Sequence, residues 1–115
     1  MSTRTKAKTT KNSAEAAHVF AALGDQTRLE LVERLCDGSP FSISRLSAGS
    51  ALSRQGITKH LRVLEQAGLV SSHKIGRESL YRYNPQPLHD AKSYIDVVSR
   101  QWDQALDRLK LLLEE

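Results

Sequence analysis

The chain has 115 residues, of which 39% are hydrophobic and only six are aromatic, enough for one small domain or one subunit of a dimer. No apolar run is long enough to cross a bilayer, no apolar signal-peptide core stands at the N-terminus, and the single cysteine, Cys36, excludes an intrachain disulfide. The expectation is therefore a cytoplasmic protein with no membrane contact. The net charge of +4 divides into +4 over residues 1–12, −2 over 13–52, +4 over 53–87 and −2 over 88–115. Positive charge confined to a tail and one central segment suits a polyanion such as DNA.

Residues 1–12 are polar and basic, cannot bury anything, and read as a disordered tail. A helix is expected from Ser13 to about Leu23, with Ala14, Ala17, Phe20, Ala21 and Leu23 as its apolar positions, closed by Gly24. Asp25 caps the next helix, whose inner stripe reads Leu29, Val32, Leu35 and Cys36. Gly38-Ser39-Pro40 breaks the chain, since proline disfavours helix in the residue before it. Ser42 caps a short third helix with Ile43 and Leu46 inward, and a brief turn leads to Ser53.

The segment from Ser53 to Gly68 is the best-marked helix in the chain. Ser53 is a good N-cap, and Gly68 suits the left-handed position that ends a helix. Ile57, Leu61 and Leu64 form one apolar stripe, which puts Gln55, Thr58, Lys59 and Arg62 on the opposite side. That face has an amide, a hydroxyl and two cations without a carboxylate. Amides and guanidinium groups make paired hydrogen bonds to base edges, and Lys and Thr suit phosphates. Two helices joined by a short turn, the second with a cationic outer face, form a helix-turn-helix.

After Gly68 the periodicity changes toward two. Residues 69–75 and 79–83 read as strands joined by Gly76-Arg77-Glu78, with Tyr81 and Tyr83 on one face and Lys74, Arg77 and Arg82 outside. A basic-tipped hairpin directly after a recognition helix is a wing. Pro85 and Pro87 then stop the strand. Leu88, Ala91, Ile95, Val98, Trp102, Ala105, Leu109 and Leu112 are spaced as a heptad seam, widened by Tyr94, Leu106 and Leu113. Such a helix spans roughly 40 Å, and a domain this small has too little core to cover its stripe. A homodimer is the expectation. The fold class is mainly α with a small β-hairpin (α+β). It comprises a tail (1–12), a winged helix-turn-helix (13–87) and a dimerisation helix (88–115).

These residues resemble the ArsR/SmtB family of winged-helix regulators, over about Phe20 to Asn84. The resemblance is carried by Leu23-Gly-Asp-Gln-Thr-Arg-Leu29, by Ser53 to Val70 with its H-L-x-x-L-x-x-A-G-L-V run from His60, and by the wing at Gly76-Arg77 followed by Tyr81. It implies a homodimeric repressor on double-stranded DNA, with the first helix, through Phe20, joining the last in the dimer interface. The two recognition helices would enter successive major grooves of an inverted repeat, and an inducer would release them. Ser53, Arg54, Gln55, Thr58, Lys59, His60, Arg62, Lys74 and Arg77 are the candidate DNA contacts, His60 by its match to the family histidine, with a half-buried structural role as its equal alternative.

The chain departs from the metal sensors of that family. The third helix reads Ser42-Ile-Ser-Arg-Leu-Ser47, with no thiolate for the Cys-x-Cys site. Matched at His89, the second site offers Pro87, Arg100 and Asp103, and arginine cannot be a ligand. No metal site or cofactor is expected. A site built from His18, His89 and Asp90 across a dimer, and an unknown small-molecule inducer lined by Trp102, stay open. Cys36 reads as a small core residue, since a thiol sensor needs an exposed, low-pKa thiolate, and His73 reads as solvated. No nucleophile–base pair, paired carboxylates or phosphate loop stands at usable spacing, so an enzyme is not expected. The competing function is a winged-helix dimer acting through protein contacts.

Overall fold

The structure, a computed structural model, describes the backbone of residues 2–114 and the side chains of residues 13–114. The elements in order are α1 (Ser2–Leu23), α2 (Gln26–Leu35), β1 (Phe41–Ser42), α3 (Ile43–Ala48), α4 (Arg54–Gln66), β2 (Val70–Ile75), β3 (Glu78–Tyr83) and α5 (Gln86–Glu114). The helix expected from Ser13 begins at Ser2, so residues 2–12, read as a disordered tail, continue α1, and their side chains lie outside the described ones. Among the described residues no helix is long and apolar enough to cross a membrane.

Each helix start of the central domain carries the cap its sequence offers. Asp25 accepts from the Arg28 amide at 3.1 Å, Ser42 from Arg45 and Ser53 from Gly56, satisfying one free amide of each first turn. Gly68 has φ +77°, the left-handed geometry that closes α4. The core gathers Leu31, Val32, Leu35, Leu46, Ile57, Leu61, Leu64, Leu69, Val70 and Tyr81, all buried. The expected α4 stripe is its centre.

Three expectations need correction. In α2 the inward residue is Leu31, not Leu29, which is exposed. Cys36 is exposed too, at the C-cap of α2, where the chain has already begun to turn away from the core. In α1 the buried residues are Ala16, Val19 and Ala22, packed against α5, while Ala14, Ala17, Phe20 and Ala21 lie on the exposed side. Small apolar residues occur all round this helix, so periodicity alone does not pick the inner face.

The sheet has three strands in the order β1-β3-β2. β1, which was not expected, pairs Phe41 with Tyr81 and Ser42 with Leu80. The hairpin register sets Val70 against Tyr83, Ser72 against Tyr81 and Lys74 against Ser79. α5 is one helix of 29 residues, with Pro87 in its first turn, where a missing amide costs nothing. The heptad seam is divided between two environments. Ala91 is buried, and Leu88, Tyr94, Val98 and Ala105 are half-buried. By contrast Ile95, Trp102, Leu106, Leu109, Leu112 and Leu113 are exposed. Ala91 therefore packs within its own chain and is not available as the dimer contact it was expected to be.

Candidate nucleic-acid interface

α4 presents its outer face as the sequence requires. Arg54, Gln55, Lys59 and Arg62 are exposed, and with Thr58 and Ile43 they line a shallow depression of about 450 Å³ at the junction with α3. No carboxylate lies among these lining residues. Thr58 is half-buried, and its hydroxyl donates to the Arg54 carbonyl at 2.7 Å, so its donor is spent within the helix. Ser53 differs, since its Oγ accepts from the Gly56 amide as the cap and its O–H is still able to donate outward.

His60 is placed differently from its neighbours. Its side chain is 22% exposed and turns toward α2, where Nδ1 lies 3.3 Å from Arg28 Nη1 and 3.9 Å from Asp25 Oδ1. The Arg28 Nε donates to the Ala22 carbonyl at 2.6 Å. One guanidinium thus joins the end of α1, the start of α2 and the middle of α4. Of its two expected roles His60 takes up the half-buried structural one, its ring held by groups 32 and 35 positions away. The Asp25 carboxyl is held below the ordinary carboxylate range, first by the Arg28 amide it accepts and then by the nearby Arg28 and His60 charges.

The wing stands beside α4. Ser72 Oγ donates to Glu65 Oε2 at 2.8 Å, tying β2 to the last turn of the recognition helix. Lys74, Arg77 and Arg82 are all exposed, but register separates them. Lys74 shares the face of Ser72 and Tyr81, carried past the edge of the core, whereas Arg82 pairs with Ser71 on the opposite face. Arg77 occupies the turn beside Gly76, whose φ is +62°. Burial pushes the Tyr81 phenol up, so it stays neutral at the root of the wing.

Sequence reasoning missed Arg45. Its guanidinium lies 4.6 Å from the Phe41 ring centroid, on the exposed side of α3, and Arg34 approaches the same ring at 5.7 Å while donating to the Leu46 and Arg45 carbonyls. The signal that could have found it is position, since the first helix of a helix-turn-helix crosses the DNA backbone. Among the described residues no group of three or more His, Cys, Asp or Glu side chains could hold a metal ion.

Comparison with known proteins bears on this geometry. A family profile described as a helix-turn-helix domain matches residues 23–73. The HTH-type transcriptional regulator Rv2034 of Mycobacterium tuberculosis is 33% identical over 83% of this chain and 85% of its own length. The transcriptional activator HlyU of Vibrio cholerae is 30% identical over 83% of this chain and 84% of its own. A solved ArsR-like transcriptional regulator from Rhodococcus sp. RHA1 is 40% identical, covers 87% of this chain and 93% of that one, and superposes with a TM-score of 0.76. With its capped α4, the wing paired to it and these relatives, the chain belongs to the ArsR-like family of winged helix-turn-helix transcriptional regulators.

Proposed function

We propose that this regulator is a cytoplasmic homodimer that represses transcription by occupying an inverted-repeat operator. The observation that carries the reading is the outer face of α4, where Arg54, Gln55, Lys59 and Arg62 stand exposed with no carboxylate among them. Gln55 and Arg62 supply paired hydrogen bonds for base edges, Arg54 and Lys59 contact phosphate or single base positions, and the Thr58 hydroxyl has only its acceptor lone pairs left for a base. Arg77 and Lys74 reach the flanking backbone or minor groove.

The dimer is supported by the uncovered apolar flank of α1 and α5. Phe20 (39% exposed), Ile95 (44%), Trp102 (65%), Leu109 (52%) and Leu112 (69%) form a surface a monomer has no means of burying. Two copies joined there bring two α4 helices to half-sites about one helical turn apart. Neither thiol chemistry nor a metal is needed for this reading.

Footprinting of the purified protein on DNA upstream of its own gene, with and without zinc, tests it. Protection of an inverted repeat overlapping the promoter, unchanged by zinc, is expected. Protection upstream of the promoter elements with increased transcription would replace repression by activation, the role named for HlyU. Release by zinc would restore a metal site, and no protection would favour a protein-contact module.

A further inference from the structure

The depression on the recognition face has a floor that differs in chemistry from its rim. Arg54, Gln55, Lys59 and Arg62 surround it as exposed residues, and Ile43 and Thr58 line it as half-buried ones. At about 100° per residue, Thr58 stands between the buried stripe of Ile57 and Leu61 and the outer positions Gln55 and Lys59. It marks the place on α4 where core gives way to solvent. Ile43 approaches from α3 and is itself packed against the core.

Both floor residues are held in place. The Thr58 hydroxyl donates to the Arg54 carbonyl at 2.7 Å, which keeps Oγ1 against the helix backbone and fixes χ1. What Thr58 offers the depression is then its Cγ2 methyl. Ile43 is the first residue of α3, directly after Ser42, whose side chain caps that helix and which pairs with Leu80 of β3. Its β-branched side chain is stiff at χ1 as well. Two set apolar groups therefore lie under a rim of long polar side chains.

Phosphates and hydrogen-bonding base edges are met by the rim, and an apolar floor adds nothing to them. Thymine is the one standard base whose major-groove edge carries an apolar group, the 5-methyl. We propose that the floor is a seat for that methyl, so that each operator half-site carries a thymine at one set position under the junction of α3 and α4. The methyl covers Ile43 and Cγ2 of Thr58 and releases the water that lay over them. The inference rests on the DNA-binding reading above and adds a base identity to it.

Uracil differs from thymine only by lacking the 5-methyl, so it removes the group and leaves every hydrogen-bonding edge in place. The test is the anisotropy of labelled duplexes of the footprinted operator, titrated with the full chain. Uracil replaces thymine at one position at a time, in both half-sites together. One position is expected to lose about fourfold in affinity per half-site, the transfer cost of one methyl-sized group, and the others to change little. Thr58→Ser keeps the hydroxyl and its bond to the Arg54 carbonyl but lacks the methyl. It is expected to bind the thymine operator more weakly and to lose most of the difference between thymine and uracil at that position, while circular dichroism shows the fold retained. Should that variant fail to fold, the uracil scan on the unaltered protein decides alone. A scan flat at every position of a protected operator, or a half-site without thymine, overturns the seat and leaves the DNA-binding reading standing. A uracil effect that persists at full size in folded Thr58→Ser overturns it too, since the deformability of the duplex is then its source. Footprinting that finds no operator removes the reading and the seat together.

Discussion

Arg28 sets the recognition helix in place, and in the proposed interface Gln55 would use it. Arg28 touches no exposed part of α4, yet it holds the Ala22 carbonyl and His60 together. Arg28→Ala is expected to lower unfolding free energy in urea by about 1–3 kcal/mol, the range for lost charge-assisted bonds, and to weaken the operator complex although it makes no contact there. Gln55→Ala leaves stability within about 0.5 kcal/mol, as for an exposed helix residue, and relaxes discrimination at one base position, read by competition between operator variants. The joint also has a pH signature. The Asp25 carboxyl is held down chiefly by the Arg28 amide, so its ionised form adds stability that is fully present above the ordinary carboxylate range and is lost as pH falls through the depressed value. The stability gap between the protein and Asp25→Asn is therefore expected at neutral pH and should close below about pH 4, as measured by denaturant midpoints. A half-buried role was one of two readings open at His60, but its partners were not readable there, because the groups that hold the ring belong to a different helix.

Elements whose instructions are local were legible, and those defined by a neighbour were not. α4 carries its cap, its stripe and its closing glycine within sixteen residues, and the hairpin carries alternation and a turn; both stand where the sequence put them. β1 is only two residues long and is a strand only because β3 passes beside Phe41 and Ser42. α1 was placed but its inner face was not, since alanines occur on all sides and α5 chooses among them. Cys36 followed the α2 stripe by spacing, but the helix ends before it turns inward. The closing glycine gives an element-scale prediction. Gly68→Ala puts a Cβ at φ +77°, 3.4 Å from Pro87 Cγ, and should cost about 1–2 kcal/mol, the strain of left-handed backbone in an L-residue. A lowered thermal midpoint with every DNA-facing side chain unchanged is the expected result.

At the scale of the molecule, charge and apolar surface are segregated. Ile95→Asp or Leu106→Asp alters only exposed positions of α5. Light scattering is expected to show a folded monomer, and operator affinity should collapse because two half-sites are no longer gripped together. The cationic face should make affinity steeply salt-dependent, falling by roughly 10³- to 10⁵-fold between about 50 and 200 mM salt if the dimer neutralises about six to ten phosphates; a flat response would falsify the interface. The short strand β1 adds a mechanical consequence. Strand β3 is flanked on both sides only at Leu80 and Tyr81, and from Ser79 to the turn at Gly76 it has a single neighbour. The wing is accordingly a stiff stalk with a pliant end, its root clamped to the start of α3 and its last residues free to bend. In the proposed complex such an end would follow local variation in groove width while the stalk keeps its distance from α4, so that Arg77 would sample the contour of the duplex at a set offset from the α4 contacts.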